Sequence, residues 1–222
     1  MKTKQSMDLF GEALRAYSQG DRSTFYLKDR SGELFETDLS RYFRKTNQLS
    51  KFEMKLISLT YGDILDVGCG SGNYIPLLAE RGRVLGIDIS PSVIDVAKKN
   101  GCKTCKVADI FTFPTTKKYD TITFLGNGLG IGGTVNKTKK LLKKLSCLLK
   151  NDGQILAIGR RVIQRKFVAV QLRPVWKQKI GSRFDWIHIS KDFLSDLCEQ
   201  AGLRLKVLQG NQHYYMFRIV KE

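Results

Sequence analysis

Nowhere in this chain of 222 residues do about 18 apolar residues follow one another, and the first 20 hold no apolar run of secretory length. Export and stable membrane insertion are therefore not expected, and a cytoplasmic protein is. Histidine is scarce: the two present, His188 and His213, lie far along the chain. Cysteine is odd in number, and Cys69, Cys102, Cys105, Cys147 and Cys198 are scattered through apparent strands and helices, so reduced thiols are expected rather than a disulfide framework. Cys102 and Cys105 form a C-x-x-C, but a structural zinc site needs a second ligand pair, so no metal is expected. No internal repeat, low-complexity tract or linker rich in proline, glycine and serine divides the chain. Acid runs out in one place, because residues 137–183 carry 14 basic residues against the single acid Asp152 and supply most of the net charge of +17. Such regional basicity points to a surface.

What is present is enough apolar material, 42% of residues, for the core of one domain with additions. Short apolar runs at 64–67, 84–87, 104–107, 121–125 and 155–158 read as strands covered on both faces. Helical patterns at 74–81, 92–100 and 137–150 alternate with them, the second opened by the capping pair Ser90-Pro91. That alternation argues for a parallel sheet. The rhythm then changes, with a helix at 191–201, an apolar run at 203–208, a turn at Gly210-Asn211 and a last run at 214–220, so the final two strands must be antiparallel. Residues 1–60 read as a helical cover (6–18 and 39–59, with a polar turn at 28–33) ahead of a main domain at 61–222, which carries an insertion at about 160–189. Additions of this kind are well placed to cover a site above the strand ends.

The chemistry begins at Asp66-Val67-Gly68-Cys69-Gly70-Ser71-Gly72. Glycines at 68, 70 and 72 let the chain turn sharply and let a ligand lie against bare backbone. A dinucleotide fold also places glycines here, but its third glycine position is occupied by Asn73, and Asp66 would repel a phosphate. An ammonium and sulfonium ligand without phosphate suits it better. Gly86-Ile87-Asp88 puts a second carboxylate 20 residues past Gly68, able to accept from both hydroxyls of a ribose, with Ile89 offering an apolar face to a purine. Ala108-Asp109-Ile110 supplies a third acid, placed for an exocyclic adenine amine.

These motifs, with the Asp120-containing fourth strand, resemble those of class I S-adenosylmethionine-dependent methyltransferases over about residues 60 to 220. The resemblance implies an α/β fold with a Rossmann-like seven-stranded, mostly parallel sheet, a C-terminal antiparallel hairpin strand and helices on both faces. It implies S-adenosyl-L-methionine as cofactor, with Gly68, Gly70 and Gly72 under its methionine part, Asp88 on the ribose and Asp109 on the adenine. Asp66, Ile89, Ile110 and Leu125 complete the candidate cofactor set. The stretch Phe124-Leu125-Gly126-Asn127-Gly128 is similar to the leucine-glycine-asparagine segment of some small-molecule methyltransferases, including the glycine N-methyltransferase type, and makes Asn127 the candidate catalytic residue. The N/D-P-P-Y/F/W stretch of enzymes acting on exocyclic base amines is missing there, as is the Pro-Cys of the base C5 enzymes.

Direct displacement from a sulfonium asks chiefly for alignment and desolvation. Tyr26, Arg30, Trp186 and His188 are further candidates beside the acceptor. A small-molecule acceptor is the first expectation. RNA or another polyanion is the alternative, because Arg160, Arg161, Arg165, Lys166, Arg173, Lys177, Lys179 and Arg183 surround Phe167 and Trp176 with no acid among them. A nicotinamide-dependent oxidoreductase and a non-catalytic cofactor-binding protein stay open as rivals.

Overall fold

The computed structural model describes residues 2–222, with side chains from Met7 onward; Met1, the start of the 1–60 stretch, lies outside them. Its elements up to the fifth apolar run are α1 (Lys2–Ser18), β1 (Phe25–Lys28), β2 (Leu34–Thr37), α2 (Lys51–Ser58), β3 (Gly62–Val67), α3 (Ile75–Ala79), β4 (Gly82–Asp88), α4 (Pro91–Lys99), β5 (Cys105–Val107), β6 (Tyr119–Phe124), α5 (Val135–Leu148) and β7 (Leu149–Arg160). There follow β8 (Phe167–Trp176), β9 (Lys179–Ile180), β10 (Phe184–Ile189), α6 (Lys191–Glu199), β11 (Leu203–Gly210) and β12 (Tyr214–Lys221).

The five apolar runs and the terminal pair form one seven-stranded sheet in the order β11-β12-β7-β6-β3-β4-β5. Strands β3 to β7 are parallel, and β12 is antiparallel to both its neighbours. This is the Rossmann-like α/β arrangement expected. Leu141 and Leu145 of α5 with Leu194 and Leu197 of α6 cover one face, and Leu56, Leu78 and Ile94 from α2, α3 and α4 cover the other. Two-sided burial is why these strands read as unbroken apolar runs. Ser90, Thr134 and Ser190 cap α4, α5 and α6 through their hydroxyls. The chain leaves β3 toward β4 on one side and leaves β6 toward β7 on the other, so a crevice opens above the carboxyl ends of β3 and β6.

Residues 1–60 differ from the helical expectation. Between α1 and α2 lie a β-hairpin and two 3-10 turns, Leu39–Phe43 and Thr46–Gln48. The polar stretch at 28–33 is the hairpin tip, where the Asp29 side chain accepts from the backbone N–H groups of Gly32 and Glu33. The hairpin joins the insertion in a second, antiparallel sheet, β10-β8-β1-β2 with β9 beside β8. Phe25 sits opposite Trp176, and Lys28 opposite Arg173. A hairpin of two four-residue strands is marginal by itself, and this one gains its stability from β8 and from α1. Phe10, Leu14, Phe25, Trp176 and Val93 form one buried cluster that binds α1 between the second sheet and α4. Gly11 permits that approach, since a Cβ there would overlap the backbone at Ser92 and Val93.

Cys102 and Cys105 are joined in a disulfide, which corrects the expectation of reduced thiols throughout. Both lie buried, Cys102 beyond the end of α4 and Cys105 at the start of β5, so a tight turn brings them together. Cys69, Cys147 and Cys198 are free. Among the described residues, no helix is long and apolar enough to cross a membrane.

Candidate active site above the central strands

The three glycines after β3 all take left-handed backbone, with φ of 73°, 56° and 78° at Gly68, Gly70 and Gly72. The N–H groups of Gly68 and Cys69 donate to the Ile87 carbonyl at 2.8 and 3.0 Å, which hooks the bend onto β4. The three face different surroundings. A Cβ on Gly68 would meet nothing within 4 Å, whereas one on Gly70 would touch the Tyr42 ring at 3.4 Å. On Gly72 it would press on Cys102 at 3.0 Å and Ala97 at 3.4 Å. Gly72 is bare where the bend packs on α4 and the turn that follows it.

Asp66, Asp88 and Asp109 stand on the adjacent strands β3, β4 and β5 or just past them. Asp66 is buried; its Oδ1 accepts from Thr123 Oγ1 at 2.7 Å, and its Oδ2 is sealed from solvent without a partner. Burial pushes its carboxyl up to about 7, with Thr123 opposing the rise and Asp88 adding to it. Asp88 accepts from Gly70 N–H at 3.3 Å and Ser90 N–H at 3.0 Å, tying the bend to the turn into α4. Its carboxyl is also raised by burial, against the pull of those backbone donors. Asp109 accepts from Phe111 N–H at 2.9 Å. Ile110 and Leu125 are buried and Ile89 is half-buried. Asp120 lies at the other end of the sheet, where it accepts from Asp63 N–H and Lys150, and belongs to the scaffold.

Across the crevice, the turn after β6 runs through Gly126 and Asn127 with φ of 63° and 69°. It lies against the glycine bend, since a Cβ on Gly128 would come 3.7 Å from the Val67 carbonyl. Asn127 Oδ1 accepts from Arg160 N–H at 2.9 Å, and its Nδ2 lies 3.3 Å from His188 Nδ1. These residues with Leu129, Gly130 and Gly159 line a cleft of about 20 Å³, room for one water-sized group. The indole of Trp186 packs on Gly130 so closely that no Cβ would fit. Burial, and after it the charge of Arg160, hold the His188 imidazole down to about 4. His188 therefore joins Asn127, and Trp186 packs on Gly130 of the same turn. Tyr26 and Arg30 do not join them: Tyr26 faces Val175, far along β8 from Val168, the partner of His188, and Arg30 donates to Gln171 on the second sheet.

Sequence reasoning missed Tyr42. In the 3-10 turn Leu39–Phe43 its ring covers Gly70 and meets Phe10 edge-on at 5.0 Å, its carbonyl accepts from Ser71 Oγ, and burial beside Asp88 raises its phenol. A lone tyrosine in a polar stretch carries no periodic signal. The basic insertion is partly tied down, because Lys177 pairs with Asp21 and Lys179 with Glu12 of α1 and its following loop.

A family model described as "Methyltransferase domain" matches residues 64–153, the stretch from β3 into β7. The chain is 28% identical over 178 residues, 74% of its length and 73% of the relative's, to a ubiquinone biosynthesis O-methyltransferase of Coxiella burnetii. Its structure is similar to that of an S-adenosylmethionine-dependent methyltransferase from Bacteroides fragilis in complex with S-adenosyl-L-homocysteine, with a TM-score of 0.87 and 26% identity, covering 98% of this chain and 96% of that one. An S-adenosylmethionine-bound amino pentose methyltransferase from Micromonospora echinaspora shares the fold at a TM-score of 0.61 and 15% identity, over 86% of this chain and 99% of that one.

Proposed function

We propose, from the premise that this chain is a class I S-adenosylmethionine-dependent methyltransferase, that it transfers a methyl group directly to a small-molecule acceptor whose reacting group sits at the Asn127–His188 cleft. The residues present fit the cofactor. Asp66 Oδ2 has no partner among the described residues, and a ligand's ammonium would satisfy it. Gly68 leaves open the space a side chain would fill. Asp66, Gly68 and Gly70 would hold the methionine part, Asp88 the ribose, and Asp109 with Ile89, Ile110 and Leu125 the adenine. When bound, S-adenosylmethionine supplies a methyl group on a sulfonium, whose thioether is an intrinsically good leaving group.

The chain's own part is to align the acceptor and exclude water. Asn127, fixed at both ends of its amide, sets the floor of the acceptor side. Tyr42 closes over the bend, and the second sheet walls the cleft through Ile187, His188 and Ile189 of β10. The observation that carries the small-molecule reading is that cations of the basic insertion are committed to partners within the chain. Lys177 pairs with Asp21 and Lys179 with Glu12, which takes two cations out of any polyanion stripe. The name of the Coxiella burnetii relative is consistent with a small acceptor. Incubating the protein and methyl-labelled S-adenosylmethionine with separated small-molecule and RNA fractions of a cell extract tests the reading. Label should enter the small-molecule fraction; label confined to RNA would reverse it.

A further inference from the structure

We infer that the acceptor presents an already ionised oxygen, a carboxylate or an acidic phenolate, to a pair of donors made by Arg160 and the Nε2–H of His188. This rests on the methyltransferase reading above and narrows it to a substrate class.

The Asn127 amide fixes the tautomer of His188. A backbone N–H can only donate, so the Arg160 N–H at 2.9 Å fixes which end of the amide is oxygen. The other end, Nδ2, must then donate to His188 Nδ1 at 3.3 Å, and Nδ1 must carry a lone pair. A neutral imidazole with Nδ1 unprotonated bears its proton on Nε2. Burial and the nearby Arg160 keep the ring neutral at physiological pH, held down to about 4. His188 therefore meets an acceptor as a hydrogen-bond donor, because its one basic nitrogen is already engaged. Among the described residues Nε2 has no protein partner and is not one of the polar atoms sealed inside the protein, so it remains open to a ligand. The Arg160 side chain, exposed at the end of β7, forms no ion pair among the described residues. No carboxylate lines the cleft.

Two donors, one of them cationic, and no proton acceptor are the wrong equipment for an amine, which is protonated at neutral pH and must shed that proton before its lone pair can attack, and for an alcohol, which must be deprotonated as it reacts. They suit an oxyanion. For such an acceptor the balance needs no base: an oxygen lone pair forms the O–CH₃ bond, the S–CH₃ electron pair stays on sulfur, and the anionic and sulfonium charges both disappear. The product is a methyl ester or aryl methyl ether, neutral at the methylated oxygen and a poorer ligand for Arg160, which favours release.

Nitrogen-15 NMR on histidine-labelled protein saturated with S-adenosylhomocysteine tests this, with benzoate, para-nitrophenolate and benzylamine as probes and His213→Gln to assign the signals. His188 should appear as the neutral Nε2–H tautomer between about pH 5.5 and 8. One or both anions should shift its Nε2 signal, a response to benzoate alone assigning a carboxylate acceptor and to para-nitrophenolate alone a phenolate, while benzylamine leaves it in place. Arg160→Gln should weaken that titration about tenfold or more, with the calorimetric affinity for S-adenosylhomocysteine within about twofold of wild type. An Nδ1–H tautomer or an imidazolium at pH 7, no response to either anion, an equal response to benzylamine, or indifference to Arg160→Gln would each overturn the acceptor assignment alone. Failure of S-adenosylhomocysteine to bind would remove the methyltransferase reading and the assignment with it.

Discussion

Asp66 is the residue whose chemistry is most exposed to test, because a carboxyl held near 7 changes charge at working pH. Its ordinary value is 3.8, so the folded, cofactor-free protein binds a proton there that the unfolded chain has already lost, and its stability contribution falls as pH rises from about 4 through 7. Asp66→Asn removes that loss. The melting temperature of this variant should gain on wild type across the same interval, and a constant difference would count against the assignment. Binding an ammonium at Oδ2 should expel the proton, so calorimetry near neutral pH in buffers of different ionisation enthalpy should report net proton release. His188 has the opposite sign: lowered from 6.5 to about 4, it contributes stability above about 6.5 that drains away as pH falls toward 4. Asp88→Ala should weaken S-adenosylhomocysteine binding about tenfold or more, through lost ribose contacts and a loosened bend. Unchanged affinity would refute the ribose role.

Among the elements, the glycine bend separates two roles that the sequence shows as one. Gly68 and Gly72 both have positive φ, so an added Cβ strains either by about 1 to 2 kcal/mol. At Gly68 the methyl would enter open space, and Gly68→Ala should cost cofactor affinity well beyond its effect on folding. Gly72→Ala should show chiefly as lost stability, because its methyl meets Cys102 and Ala97. Equal affinity losses in the two variants would contradict the division. The bend, the strand-tip acids and the strand-helix rhythm were legible because each is local: apolar runs of four to six residues, glycines at alternate positions, a capping serine. The hairpin of β1 and β2 was not. Its strands are four residues long, β2 is largely exposed, and the strand that completes them, β8, lies about 140 residues downstream. Leu39–Phe43 reads as a helix by composition but ends in extended backbone at Arg44, which turns Tyr42 onto Gly70. The left-handed backbone at Asn127 has no sequence marker beyond asparagine's tolerance for it, although that conformation is what delivers its amide to Arg160 and His188.

Across the whole molecule, additions from two ends of the sequence work as one structure. The hairpin near the amino terminus and the insertion after β7 share a sheet, and α1 carries that sheet on α4, next to the cofactor side of the crevice. Ligand binding should therefore be felt well outside the strand tips. Hydrogen exchange with saturating S-adenosylhomocysteine should slow at residues 39–43 as well as 68–72, and protection restricted to the bend would mean that Tyr42 does not close the site. The net charge of +17 does not by itself choose a partner: the α5 lysines lie on the side away from its buried leucines, and part of the insertion's charge is paired within the chain. The central claim is that the bare bend and its ring of carboxylates hold a cationic sulfur compound and not a phosphate. Calorimetric titration of the wild-type protein with S-adenosylmethionine and, separately, with NAD measures that directly. The account predicts saturable 1:1 binding of S-adenosylmethionine and no detectable heat of binding from NAD; tight NAD binding with none for S-adenosylmethionine would contradict it.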